Sequence, residues 1–144
     1  MKEYFAKLKY LFRWRDLAFT VLLFTIILTI AFCRGQNLVD ISFGDTAVDI
    51  TSGRYYMNIP YDMVQSVELV PINEDDELLK ARSDLALRTG QWYNEEIGEY
   101  TACIDLQTDI CVVVHLTDGR YFVFSAKNAD ITTDAYETLL GKIN

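Results

Sequence analysis

A mainly β domain tethered to a membrane by one N-terminal helix is the fold class this sequence predicts. Three observations carry it. Leu17–Cys33 reads LAFTVLLFTIILTIAFC, without a charge, Pro or Gly. From Ala47 to Ser125 the apolar pattern has a period of two, broken by turn residues, as in short strands. From Asp130 the period lengthens to that of an amphipathic helix.

The apolar run comes first. As a helix it is about 26 Å long, close to the roughly 30 Å of a hydrocarbon core. Phe12 and Trp14 suit the interface, and the Arg13 and Arg15 stems can snorkel. The run predicts a single-pass transmembrane helix over 17–33. Residues 1–16 form a basic lead carrying Lys2, Lys7, Lys9, Arg13 and Arg15 against Glu3 and Asp16. Positive residues flanking a span stay cytoplasmic, so the expected topology is N-terminus in, C-terminal domain out of the cell membrane. A signal peptide shares the basic-then-apolar pattern, but this run is long for one and no A-x-A site follows. Cys33 follows the bulky Phe32, which suits an apolar thiol at a helix end better than a lipidated cysteine.

Five of the thirteen basic residues and two of the twenty-one acidic ones precede Leu17. The remaining chain holds eight and nineteen, a balance of −11. A domain this acidic repels DNA, RNA and anionic headgroups, so no nucleic-acid partner is expected. Residues 34–44 form a juxtamembrane connection whose Leu38, Val39, Ile41 and Phe43 give it strand character. Residues 45–144 form one domain.

Ala47–Thr51 and Tyr55–Ile59 alternate around the turn Ser52-Gly53-Arg54. Pro60 cannot donate to a ladder and ends the second strand. Val64–Val70 is a third. Asn73-Glu74-Asp75-Asp76-Glu77 packs four adjacent carboxylates and is expected to be a solvated loop. It lacks the ligand alternation and central Gly of a calcium-binding EF-hand loop. Leu85–Arg88 predicts a short strand and Thr89–Glu96 a polar loop turning at Gly90. Glu99–Asp105, Ile110–Leu116 and Tyr121–Ser125 predict an antiparallel meander. Its second turn contains Asp118-Gly119, a strong hairpin signal. Centring on that pair sets Leu116 against Tyr121, His115 against Phe122 and Val114 against Val123. The closing helix has Asp130, Thr132 and Thr133 as cap candidates, with Tyr136, Leu139, Leu140 and Ile143 as its apolar stripe.

This order, about seven short strands and then one helix, resembles a pleckstrin-homology-like (PH-like) domain, and more narrowly the bacterial membrane-anchored PH-like proteins. Three stretches carry the likeness: Ile59-Pro60-Tyr61-Asp62-Met63-Val64-Gln65-Ser66-Val67-Glu68-Leu69; Arg88-Thr89-Gly90 with Gly98-Glu99-Tyr100; and Asp118–Phe124 with the helix Asp134–Leu140. The resemblance implies a bent antiparallel sheet or barrel plugged at one end by the C-terminal helix. It lends a non-catalytic expectation without a ligand. PH domains that hold phosphoinositides use a basic first hairpin, and Asp45–Ile59 offers only Arg54.

Catalytic chemistry lacks its parts. His115 is the only histidine, set between Val114 and Leu116, and reads as a packed strand residue. No G-x-S-x-G, phosphate-binding Gly-rich loop or zinc-type Cys/His spacing is present. No catalytic residue, metal or cofactor is expected. Cys103 and Cys111 flank a turn centred near Gln107, which would set them opposite each other. In an oxidising space they become a possible disulfide.

The expected function is a non-catalytic, membrane-tethered interaction module acting through a protein partner, a membrane assembly or self-association. A lipid- or headgroup-binding PH-like domain and an uncharacterised hydrolase are the alternatives. The last hairpin is apolar on both faces, so one face needs a cover or a partner. Val113, His115, Phe122 and Phe124 are the expected interface.

Overall fold

The computed structural model describes the backbone of residues 2–35, 38–53, 55–73, 75–83 and 86–144, and the side chains of these except 2–15, 33–35 and 80–83. It divides into two units, 1–36 and 37–144. The expectations for Arg54 and Leu85, and for the side chains of Phe12, Arg13, Trp14, Arg15 and Cys33, lie outside the described residues.

The first unit is one helix, α1 (Lys2–Gly35), which contains the whole 17–33 run. Its described side chains, from Asp16 to Phe32, are exposed within the chain. Thr20, Thr25 and Thr29 turn their hydroxyls back to the carbonyls of Asp16, Val21 and Thr25, each at 2.8 Å. Their polar groups are thus satisfied without an outside partner. Among the described residues, no helix is long and apolar enough to cross a membrane; the described side chains of α1 end at Phe32.

The second unit is mainly β, with two sheets and a C-terminal helix. The smaller sheet is an antiparallel meander of β1 (Asp40–Phe43), β2 (Ala47–Ser52) and β3 (Tyr55–Pro60). β1 falls inside the expected 34–44 connection. A 3-10 turn over Tyr61–Met63 leads into the larger sheet: β4 (Val64–Pro71), β5 (Glu77–Ser83), β6 (Leu87–Asn94), β7 (Gly98–Asp105), β8 (Ile110–Leu116) and β9 (Tyr121–Phe124). Its spatial order is β4-β8-β9-β7-β6-β5. The chain closes with α2 (Ala129–Ile143).

Two expectations for the polar middle of the chain need correction. Thr89–Glu96 is mostly strand and not a loop: β6 runs through it to Asn94, pairing with β5 on one side and β7 on the other, and only Glu95 and Glu96 lie in the turn. Gly90 sits inside this strand at φ 98°, a left-handed conformation open to glycine, so it does not turn the chain. Glu77 begins β5, a strand whose polar composition hid it. Paired on one side only, β5 gains its ladder from β6 and needs little hydrophobic pattern of its own.

The meander is also corrected. β8 pairs with β9, but β7 does not pair with β8; β9 lies between them and runs parallel to β7. After β7 the chain turns on Asp105, whose Oδ1 accepts from Gln107 N at 3.0 Å. Ile72 N then donates to Asp109 O at 2.9 Å, steering β8 onto β4.

The β8–β9 turn holds one residue more than a two-residue hairpin. Gly119 N donates to Leu116 O and Leu116 N to Arg120 O, both at 2.9 Å. Gly119 adopts φ 85°. This is a type I turn followed by a left-handed glycine bulge. His115 therefore pairs with Tyr121, Val114 with Phe122 and Val113 with Val123. Every β9 side chain thus lies on the opposite face from the one expected.

The main core lies between the two sheets. Val48, Ile50, Met57 and Ile59 face Val67, Cys103, Val112, Val114, Leu116, Phe122 and Phe124. Helix α2 adds Ala135 and Leu139, with Tyr136, Leu140 and Ile143 at the margin, as its stripe predicts. Its N-cap is Asn128, upstream of the expected candidates, accepting from Ile131 N at 2.9 Å. Thr132 instead locks the entry: its hydroxyl donates to Asn128 O and accepts from Ala126 N.

Candidate functional site: a cleft on the second face of the larger sheet

The other face of the larger sheet carries a separate cluster, with Trp92, Tyr100, Ala102, Ile104, Cys111 and Val123 buried in it. Loop residues give this face its cover: Ile72 beyond β4, Ile97 in the β6–β7 turn and Leu106 beyond β7 pack onto it. They leave a cleft of about 460 Å³. Ile104, Cys111, Val113, Val123 and Tyr100 line its apolar part. Glu68, Asp76 and Glu96 line its polar part together with Asn73 and Asn94. This volume lies in the range of small-ligand and side-chain pockets.

Asp76 organises the cleft's edge. Its Oδ2 accepts from Arg88 Nη1 at 3.2 Å and from the Tyr100 hydroxyl. Its Oδ1 accepts from Asn94 Nδ2 at 2.6 Å. Arg88 Nη1 also donates to Asn73 O at 2.9 Å, and the guanidinium lies 4.6 Å over the Trp92 ring centroid. The Arg88 and Asp76 side chains are both more than nine-tenths buried. These bonds tie the β4–β5 loop to strands β6 and β7. Burial, and then the bond to Asp76, pushes the Tyr100 phenol well above its ordinary value, so it stays a neutral donor. The expected solvated loop is thus anchored at Asp76. Asp75 and Glu77 remain exposed.

The candidate site residues separate. Val113 lines the cleft and His115 lies on the same face, stacked on Tyr121 with ring centroids 4.3 Å apart and planes 4° apart. Phe122 and Phe124 are buried in the main core, on the other face. The expected four-residue interface is therefore not one surface, and the added turn residue is the reason.

Cys103 and Cys111 are both free and buried. They belong to opposite faces of the sheet, and β9 lies between their strands. The opposed geometry expected for a bridge is absent because β7 and β8 do not form a hairpin. Burial pushes both thiols up to about 12, leaving them unreactive at neutral pH.

Arg88, Trp92 and Tyr100 were missed as site residues. Across the β6–β7 pair Trp92 faces Tyr100 and Arg88 faces Ile104. The only sequence trace of this is the spacing of Arg88, Gly90, Trp92 and Asn94 at every second position. Compared with known proteins, the chain matches no family model, no curated protein and no solved structure.

Proposed function

We propose that this protein is a non-catalytic interaction module, tethered to the cell membrane by α1, that binds a protein partner through the cleft on the larger sheet. The cleft is the observation that carries the binding role: an apolar-floored hollow with an anchored polar edge, on a face that loops cover incompletely. The exposed apolar side chains of α1 support the tether, because water-facing aliphatic and aromatic residues over several turns need a lipid or protein cover. The basic lead supports the N-in, domain-out orientation. The PH-like reading rests on two β-sheets enclosing a core to which a C-terminal helix adds its apolar stripe; the parallel β7–β9 pair departs from an all-antiparallel sheet. No described residue lining the cleft is basic, which argues against a phosphate-bearing headgroup there.

Alkaline extraction of membranes from cells expressing the full chain tests the tether. Retention in the pellet, with activity of an export-dependent reporter fused to the C-terminus, is expected. Release into the supernatant refutes the tether, and activity of a cytoplasm-only reporter refutes the orientation.

A further inference from the structure

The cleft does not stand alone. A second cavity of about 320 Å³ adjoins it, and both are lined by Asn73, Asp76, Asn94 and Glu96. The second cavity has a different character. Asp75, Asp76, Glu77, Glu95 and Glu96 contribute five carboxylates to its lining, and no described residue there is basic. Two turns hold this rim. Asp75 N donates to Asn73 Oδ1 at 3.1 Å, and Glu96 N donates to Asn94 Oδ1 at 2.7 Å. Asp76 pairs with Arg88, whereas Asp75, Glu77, Glu95 and Glu96 are exposed. Among the described residues, no group of carboxylates, thiols or imidazoles is placed to hold a metal ion.

An apolar hollow joined edge to edge with an anionic one selects for a ligand with the same two parts. We propose that the joined cavities take a peptide segment of a protein partner in which a Lys or Arg stands beside an aliphatic or aromatic residue. The apolar side chain enters the hollow over Ile104, Val113 and Val123. The cationic side chain enters the acidic cavity, where the surrounding carboxylates favour it electrostatically. This rests on the module reading above and gives the partner its chemistry. The chain's own lead has such a composition, with Lys7-Leu8-Lys9-Tyr10 and Phe12-Arg13-Trp14-Arg15. In a single-span topology, however, that lead and the domain lie on opposite sides of the bilayer, so the segment comes from another protein.

The test uses the full chain in detergent micelles and three labelled peptides read by fluorescence anisotropy: Leu-Arg-Phe-Lys-Leu, its charge-free analogue Leu-Gln-Phe-Gln-Leu, and its apolar-free analogue Gly-Arg-Gly-Lys-Gly. The first is expected to bind saturably below about 1 mM and about tenfold more tightly than either analogue. The double variant Glu95→Gln/Glu96→Gln, on exposed turn residues, should weaken it about tenfold. The double variant Asp134→Asn/Glu137→Gln, on the exposed side of α2, should leave it unchanged. No saturable binding, equal binding of an analogue, or equal loss with the α2 variant overturns the proposal; the last would mean diffuse attraction to an acidic protein. Failure here with the chain still retained in membranes removes the ligand chemistry and leaves the tether standing. Release from membranes with peptide binding intact does the reverse.

Discussion

The two faces of the six-stranded sheet are built from the same strands and have different chemistry. On the inner face Val112, Val114, Leu116 and Phe124 are wholly buried against the smaller sheet and α2. On the outer face Trp92, Tyr100, Cys111 and Val123 are almost as buried, yet what covers them is loop. The inner face is closed by regular elements that interdigitate with it, and such packing leaves little unfilled volume. The outer face is closed by single residues on turns, and the β4–β5 loop among them is held by hydrogen bonds through Asp76. Loops that cover a sheet cannot match its pleat along the whole length, so they leave a hollow. Burial of the sheet residues is therefore compatible with a binding surface when the cover is thin and polar at its edge.

The largest expected effect is on the sealed face. Phe124→Ala should destabilise the domain by about 3–5 kcal/mol through lost transfer energy and a cavity. Val113→Ala, in the cleft, should cost about 1 kcal/mol at most. Chemical unfolding of the full chain, followed by Trp fluorescence, measures both; equal costs would erase the distinction between the faces.

Next comes the anchor of the outer cover. Asp76→Ala leaves the buried Arg88 guanidinium without its carboxylate and the Tyr100 hydroxyl without its acceptor, at a cost of about 3 kcal/mol. Tyr100→Phe removes one bond and should cost about 1 kcal/mol. Hydrogen exchange in the β4–β5 loop should rise sharply in the first variant and slightly in the second. An unaffected loop would show that Asp76 does not hold the cover.

The turn that assigns side chains to faces is sensitive to one glycine. Gly119→Ala places a side chain at φ 85° and should cost about 1–2 kcal/mol through backbone strain, since nothing crowds the added carbon. A stability equal to the parent's would mean the bulge is not the turn in use.

A smaller effect of opposite sign is expected at Asp105, a wholly buried carboxyl on the same side of β7 as Cys103. Among the described residues its Oδ2 has no hydrogen-bond partner, and burial raises its pKa above the ordinary 3.8. A raised carboxyl pKa means the folded state prefers the protonated form. The stability from this group is full below pH 3.8 and is lost as pH rises through the raised value. Asp105→Asn should flatten that part of the stability–pH curve and leave the domain at least as stable at neutral pH. A loss of stability at neutral pH would show that the charge itself is needed. The smallest effect concerns the thiols: without reductant, Cys103 and Cys111 should react with a thiol reagent only after unfolding, each as a free cysteine.

Much of this protein follows from residue order alone. Local signals act within a few positions, and these were legible: the apolar run now inside α1, the alternation of β2, β3, β4, β7 and β8, and the stripe of α2 that reaches the core. Composition likewise announced an acidic domain. The polar strand β6 and the edge strand β5 escaped because their ladders come from the adjacent hairpin strands, not from an apolar alternation of their own. Partnership of strands was decided only in three dimensions. β9 enters between β7 and β8, which separates Cys103 from Cys111. A single left-handed glycine shifts the register and sends Phe122 and Phe124 into the core, leaving Val113 and His115 on the other face. The cleft belongs to this second kind of information. Its lining comes from five strands and two connecting turns, and no local period encodes a hollow that exists only where a loop fails to fill the face it covers.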